Sequence, residues 1–268
     1  MLFDKSKLYE EYCVAFVDIL GFKSMTAHGK LIENGPIINE AIENMKNIFS
    51  VQIVVVKDGI LQIRELNQID KVYKKIQTLQ FADSIALLFP KEPYVSLLAI
   101  QRLMSLQFHL LTKGILIRGA ICTGEMYIDS EQNIYYGEAW NNAVLNEGKA
   151  GYPRIIVDES IAEMIGKWLA GINEGILELN KGKDYWELDS YKGYFWYQNT
   201  LGITYKEGIN YFICNVESKI KEIQMEDSVW KKYLWVIDAI ISASTYLEDL
   251  QKDVRNLKKK LSEKRVEK

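Results

Sequence analysis

Apolar residues in this chain follow two patterns: short unbroken runs, and stripes at helical spacing. The run from Tyr12 to Ile19 reads as a strand buried on both faces. Phe22 to about Ile32 predicts a short helix that Asn34, Gly35 and Pro36 bring to an end. Ile37, Ile38, Ala41, Ile42, Met45 and Ile48 then recur at helical spacing, with Pro36 near the start of a second helix. Val51 to Val56 has the look of a strand and Asp58-Gly59 that of a turn, so residues 51–70 read as an insertion. Ile76 to Phe81 and Ile85 to Phe89 predict two strands around Ala82, Asp83 and Ser84. That is a hairpin with an acid at its tip or at the start of its second strand. Pro90 and Pro93 break the pattern.

From Val95 to Leu111 the apolar positions Leu97, Leu98, Ile100, Leu103, Met104, Phe108 and Leu111 mark a core-facing helix. His109 lies within it and reads as a packed histidine. Gly114 ends the helix. Ile115 to Cys122 is a further buried strand, interrupted by Arg118 and Gly119. Residues 129–133 form a turn between two short strands, Gly137 opens a helix to about Gly151, and Pro153 to Asp158 is another strand. The order β, α, β, β, α, β, α, β predicts an α+β fold of split βαβ units, the ferredoxin-like plan (βαββαβ), with helices on one face of a sheet.

Residues 1–160 are expected to form this domain, and 161–268 a C-terminal extension. Past Asp158 the aromatics become dense, and Tyr194 to Tyr197 reads as an antiparallel strand. Helices are expected from about Asn210, with Val229 to Leu247 mainly apolar. Leu247, Leu250, Val254, Leu257 and Leu261 step by 3, 4, 3 and 4, a short heptad pattern. It predicts a helix packed on its own chain or on a partner subunit.

Composition narrows the chemistry. The chain has 268 residues, 48% of them apolar, which supplies a sizeable core. A net charge of -3 argues against a broad basic surface for nucleic acid, but leaves room for a local basic pocket. Cys13, Cys122 and Cys214 are scattered and mostly in apolar surroundings, which suggests buried free thiols and a cytoplasmic protein. The polar N-terminus carries no signal peptide, and no apolar segment approaches the ~18 residues of a membrane span. With only His28 and His109, zinc sites built from His and Cys are nearly excluded.

Asp18 is the odd residue in the first strand. A carboxylate in such a run is costly unless a cation or a donor meets it. Gly21 allows a sharp turn just beyond. Asp83 is a second acid beside an apolar strand, and in a split βαβ sheet the first strand neighbours the hairpin that follows the first helix. Both carboxylates can therefore reach one point. Two carboxylates without histidine suit Mg²⁺ or Mn²⁺. Two such ions, ~3.5–4 Å apart, can hold an attacking oxygen and a phosphate for in-line displacement. The alternative is that each acid caps a turn independently.

Four stretches resemble the class III nucleotidyl cyclases. Val17-Asp-Ile-Leu-Gly-Phe22 is similar to their first metal motif, and Phe81-Ala-Asp-Ser-Ile-Ala-Leu-Leu-Phe89 to their second metal-binding hairpin. Ile117-Arg-Gly-Ala-Ile-Cys-Thr-Gly124 resembles the next core strand, and Gly137 with Asn141 their catalytic helix. The departures are specific. Leu145 stands where the family has its catalytic arginine, Leu79 and Ile134 stand where it selects purines, and Ala82 replaces a glycine. The pyrimidine cyclases of bacterial Pycsar antiphage defence look closer. Residues 137–157 are like theirs, and so are the stretches Asp189–Phe195 and Lys231–Trp235.

This resemblance implies two-metal chemistry on a nucleoside triphosphate. Two Mg²⁺ or Mn²⁺ ions sit on Asp18, Asp83 and the Ile19 carbonyl. UTP or CTP is converted to the 3′,5′-cyclic monophosphate and pyrophosphate, as a signal in defence. Phe22, Leu79 and Ile134 line the substrate. Asn141 orients the ribose, unless it is a helix cap. Arg118 or Arg154 replaces the missing arginine, although Arg154 could equally serve a structural salt bridge. The site is shared in a head-to-tail homodimer. A purine cyclase, another palm-like nucleotidyl transferase, and a cyclase-like module that binds nucleotide without turnover are the alternatives.

Overall fold

The computed structural model describes residues 4–47, 55–57, 60–62, 72, 74–170, 179–181, 185–188, 190–191, 204–222, 227–245 and 247–266. A mixed sheet organises them. Its central strand β1 (Leu8–Ile19) runs antiparallel to both of its neighbours, β5 (Ser84–Pro90) and β6 (Ile117–Asp129). β4 (Gln77–Phe81) pairs outside β5, and the short β7 (Ile134–Gly137) folds back on the end of β6. β8 (Ile155–Val157) lies parallel to β6. β10 (Trp186–Leu188) and then β9 (Leu179–Lys181) continue the sheet beyond β8, so residues of the extension share it. β2 (Val55–Lys57) and β3 (Ile60–Gln62) form a separate antiparallel pair within the expected insertion.

Alternation along β1 assigns its side chains to two faces. Cys13, Ala15, Val17 and Ile19 enter one core, under helices α2 (Leu31–Lys46), α3 (Pro93–Thr112) and α5 (Glu159–Ala170). Tyr12, Val14 and Phe16 face the other way, toward α4 (Glu138–Ala150). Helices therefore cover both faces, not one. The inward side of α4 is Ala139, Ala143 and Ala150, and small side chains let the helix lie close on the sheet. The α+β mixture and the element order otherwise follow the sequence pattern.

Two boundaries differ from expectation. Only Phe22–Met25 (α1) is helical after β1, and α2 runs straight through Asn34, Gly35 and Pro36. The proline forgoes one bond, to the carbonyl of Ile32. Ile32 is 94% exposed, so water can serve that oxygen. Asn34 also donates to the Met25 carbonyl (2.9 Å), tying the helix start to the preceding turn. The expected strand at Tyr194 to Tyr197 lies outside the described residues.

The remaining helices, α6 (Tyr205–Glu222), α7 (Asp227–Ala243) and α8 (Glu248–Val266), build a second core against α3. Phe108 and Leu111 of α3 are its floor, with Ile209, Phe212, Trp230, Tyr233, Val236 and Ile237 above. The heptad positions Leu250, Val254, Leu257 and Leu261 are each 0% exposed in this core. The stripe thus packs on its own chain, and burying each such side chain contributes roughly 1.5–3 kcal/mol. Buried Gln107 of α3 donates to the Pro153 carbonyl (2.9 Å) and accepts from Ser190. Cys13 and Cys122 are buried free thiols, whereas Cys214 is exposed, because it falls on the outer side of α6. Among the described residues no helix is long and apolar enough to cross a membrane.

Candidate active site

Phe81, Ser84, Asp18 and Arg118 form one row across β4, β5, β1 and β6. Residues directly opposite in antiparallel strands share a face, so all four side chains stand on the α4 side of the sheet. The Ser84 hydroxyl donates to Asp18 Oδ1 (3.0 Å). Asp83 occupies the two-residue turn between Phe81 and Ser84, and its carbonyl accepts from the Ile19 N–H (3.1 Å). The turn puts Ala82 at φ +33°, a region that favours glycine. Asp18 near the end of β1 and Asp83 in the turn before β5 therefore lie at one end of the sheet, where Leu20 and Gly21 turn the chain.

Electrostatics agree with that placement. Asp18 is half-buried, and its pKa is pushed up to about 6, first by desolvation and next by the Asp83 charge. Glu147 adds to the rise, while the Ser84 hydrogen bond and Arg118 oppose it. A half-buried carboxylate raised by a neighbouring carboxylate is a fit for hard divalent cations, which the Asp18 and Asp83 carboxylates and the Ile19 carbonyl could hold. Among the described residues no group of three or more His, Cys, Asp or Glu converges on one point, so water and substrate oxygens would have to complete any coordination.

The shift has a consequence for stability. The pKa of Asp18 is about 6 when folded, against 3.8 for an ordinary aspartate. The native state therefore holds the extra proton between those values, and stability rises as pH falls through about 6 toward 4. The full shift would correspond to roughly 3 kcal/mol, which solvent screening of a half-buried group reduces to about 1–2 kcal/mol. Metal-free protein is expected to gain this much between pH 7.5 and 4.5. Asp18→Asn should remove the dependence and be the more stable protein at pH 7.5. Denaturant unfolding with chelator present, across that pH range, measures both. Identical pH profiles for the two proteins would show that Asp18 is not the group responsible.

The other expected residues fall in different places. Arg118 stands in the row itself, and its Nε donates to Glu147 of α4, with side-chain exposures of 25% and 12%. That is the acidic partner a strand arginine requires. Arg154 is held elsewhere. It pairs with Glu187 (2.9 Å), donates to the Ala150 carbonyl (2.9 Å) and to the Tyr185 hydroxyl, and lies over the Tyr185 ring. Those contacts are those of a structural salt bridge between the start of β8 and β10.

Leu79 is on the site face one row away, opposite Ala86, which in turn faces Phe16. Phe22 packs toward the core of the opposite face. Ile134 pairs with Asp129 at the far end of β6, so within one chain it does not approach Asp18. Asn141 is exposed and lies one turn inside α4, whose N-cap is Gly137, so it is not a cap. Leu145, one turn further on, is 66% exposed.

Two charged neighbours of the site went unassigned from sequence. Glu147 is 9% exposed, and its signal was there to read: it shares the inward stripe of α4 with Ala139, Ala143 and Ala150. Lys232 of α7 had no such signal. Burial and the Arg118 charge lower its pKa, and Asp18 pulls it back up.

No protein-family model matches the chain, and no curated protein does. Solved structures of similar fold include the adenylyl cyclase CyaB from P. aeruginosa, with 13% identity over 67% of this chain and 93% of that one, at a TM-score of 0.47. The dimeric guanylyl cyclase domain of the RhoGC fusion protein from the aquatic fungus Blastocladiella emersonii shares 14% identity over 68% and 96%, at 0.46. An adenylate/guanylate cyclase/hydrolase from Silicibacter pomeroyi shares 14% over 67% and 98%, at 0.38. A likeness at this level carries no argument about substrate or activity.

Proposed function

We propose that this protein is a nucleotidyl cyclase that converts UTP or CTP to the 3′,5′-cyclic monophosphate and pyrophosphate, as a signal in antiphage defence. The observation that carries the reading is the placement of Asp18 and Asp83. Asp18 is near the end of β1 and Asp83 is in the turn before the neighbouring β5, joined by the Ile19 N–H to the Asp83 carbonyl, and the Asp83 charge raises the Asp18 pKa. Mg²⁺ or Mn²⁺ bound there would lower the pKa of the ribose 3′-hydroxyl and neutralise charge on the triphosphate. Asp18, oriented by the Ser84 hydroxyl, and Asp83 hold the cations, with the Ile19 carbonyl as a further donor. The 3′-oxygen then bonds to the α-phosphorus, its proton passes to water, and the bond to the bridging oxygen breaks, so that pyrophosphate leaves with the electron pair. Arg118, balanced by Glu147, faces this row and stabilises charge developing on the phosphates.

Leu79 and Ile134, where purine selectors would stand, cannot hydrogen-bond a base, which supports a pyrimidine substrate. Ile134 lies at the far end of β6 from Asp18, and Asn141, Val144, Leu145 and Tyr136 are exposed. A second copy packed head-to-tail against this surface would complete the site, with Asn141 orienting the ribose. Phe22 would act as a neighbour of the substrate.

One observation favours a second reading. Arg118 and Arg154 already have acidic partners, as in a module that binds nucleotide without turning it over. Incubation of the purified chain with each of the four triphosphates and Mn²⁺, followed by mass spectrometry, decides. Cyclic UMP or CMP with pyrophosphate is expected. Cyclic AMP or GMP would make it a purine cyclase, and binding without product would favour the module.

A further inference from the structure

Helix α7 is fixed to the domain at two points just past Lys232. The buried Tyr233 hydroxyl donates to the Gly114 carbonyl (3.0 Å), just before β6 begins. Trp235 stacks on Tyr152, with ring centroids 5.7 Å apart, in the loop between α4 and β8. Leu20, two residues past Asp18, packs against the same helical core. Lys232 and Trp235 are three apart and share one side of α7. Tyr152 lies two residues before Arg154, whose carbonyl accepts from the Gly119 N–H (3.0 Å), and the Leu20 N–H donates to the Leu116 carbonyl (2.8 Å), so this side of α7 lies over the start of β6 and the end of β1. The charges Lys232 senses there are those of Arg118 and Asp18.

Two cations held together, one of them half-buried, repel unless an anion lies between them. The nearby acids are already engaged: Glu147 pairs with Arg118, and Asp18 accepts from the Ser84 hydroxyl and feels the Asp83 charge. On the cyclase reading, on which this inference rests, the anion is the triphosphate. We infer that Lys232, delivered in cis by the C-terminal extension, binds the triphosphate oxygens beside Asp18 and Arg118. The extension is then part of the substrate site as well as a packing unit. A flexible ammonium suits phosphate as a point charge, without a second subunit.

The test uses the full chain, Mn²⁺, and the α,β-methylene analogues of UTP and CTP, titrated by calorimetry. Lys232→Gln should weaken binding at least about ten-fold, since a charge-assisted bond to phosphate is lost. Lys232→Met, which keeps the stem's packing, should behave alike and guards against misfolding of the first variant. Lys232→Arg should retain binding to within about three-fold. Lys231→Gln removes the same charge one residue away on the exposed side and should change nothing. In turnover the loss should appear mainly in KM, and the pH profile should stay in place. Wild-type affinity in both Lys232→Gln and Lys232→Met would overturn the inference while leaving the cyclase reading intact. A wild-type chain that binds neither analogue would overturn both.

Discussion

Asp83→Ala is expected to lower turnover by at least about a thousand-fold, or roughly 4 kcal/mol of transition-state stabilisation, with the fold intact. The size follows from what the side chain is proposed to do. With one carboxylate gone, Asp18 alone would be left to hold the cations that would activate the 3′-hydroxyl and neutralise the triphosphate. The intact fold follows from where it sits. Asp83 is in a two-residue turn, partly exposed, and its structural hydrogen bond to Ile19 comes from its main chain. Removing it also relieves the repulsion that raises the Asp18 pKa. Unfolding free energy should therefore change by no more than about 0.5 kcal/mol. Pyrophosphate release and a denaturant melt on the same preparation measure both. Wild-type turnover in this variant would remove the basis of the proposed function.

Gly137→Ala is expected to be the most damaging single methyl in the domain, costing about 3 kcal/mol or more. A Cβ there would lie 2.2 Å from the Glu125 carbonyl oxygen and 2.8 Å from Met126 Cα. Both are backbone atoms of β6, so no side chain can swing aside. Gly137 also has φ +153° and is the N-cap of α4. The strand and the helix can separate only by moving α4 off the sheet, which would withdraw Glu147 from Arg118 and Trp140 from Phe16 and Phe81. A lower Tm, together with weakened triphosphate binding, is the expected signature. An unchanged Tm would mean that α4 can shift without cost.

Much of the site was legible in single residues. Asp18 stood out because a carboxylate ends an apolar run, and Asp83 because it marks a hairpin tip; both signals are local in sequence. The convergence of the two followed from the order of elements, since the strand after the first helix pairs with the first strand. Arg118 was readable as a strand arginine needing a partner, but the partner was not named. Glu147 was visible in principle, as an acid on an otherwise small apolar helix face. Asn141 was ambiguous between cap and contact, and the start of α4 at Glu138, with Gly137 as cap, rules out the cap.

The sequence by itself determined most of the strands and helices, the start of α2 apart, and that one acid comes near the end of β1 and another at the hairpin turn before β5. Period, turn residues and helix stops are read over a few neighbours, so they need no knowledge of the rest of the chain. Only the tertiary structure decided that α4 covers the sheet face opposite the other helices, that Arg154 is tied to Glu187 and Tyr185, and that Ile134 lies at the far end of β6. Those outcomes depend on register and on which faces of distant helices bury together. Such contacts join residues far apart in the chain, and no local pattern records them.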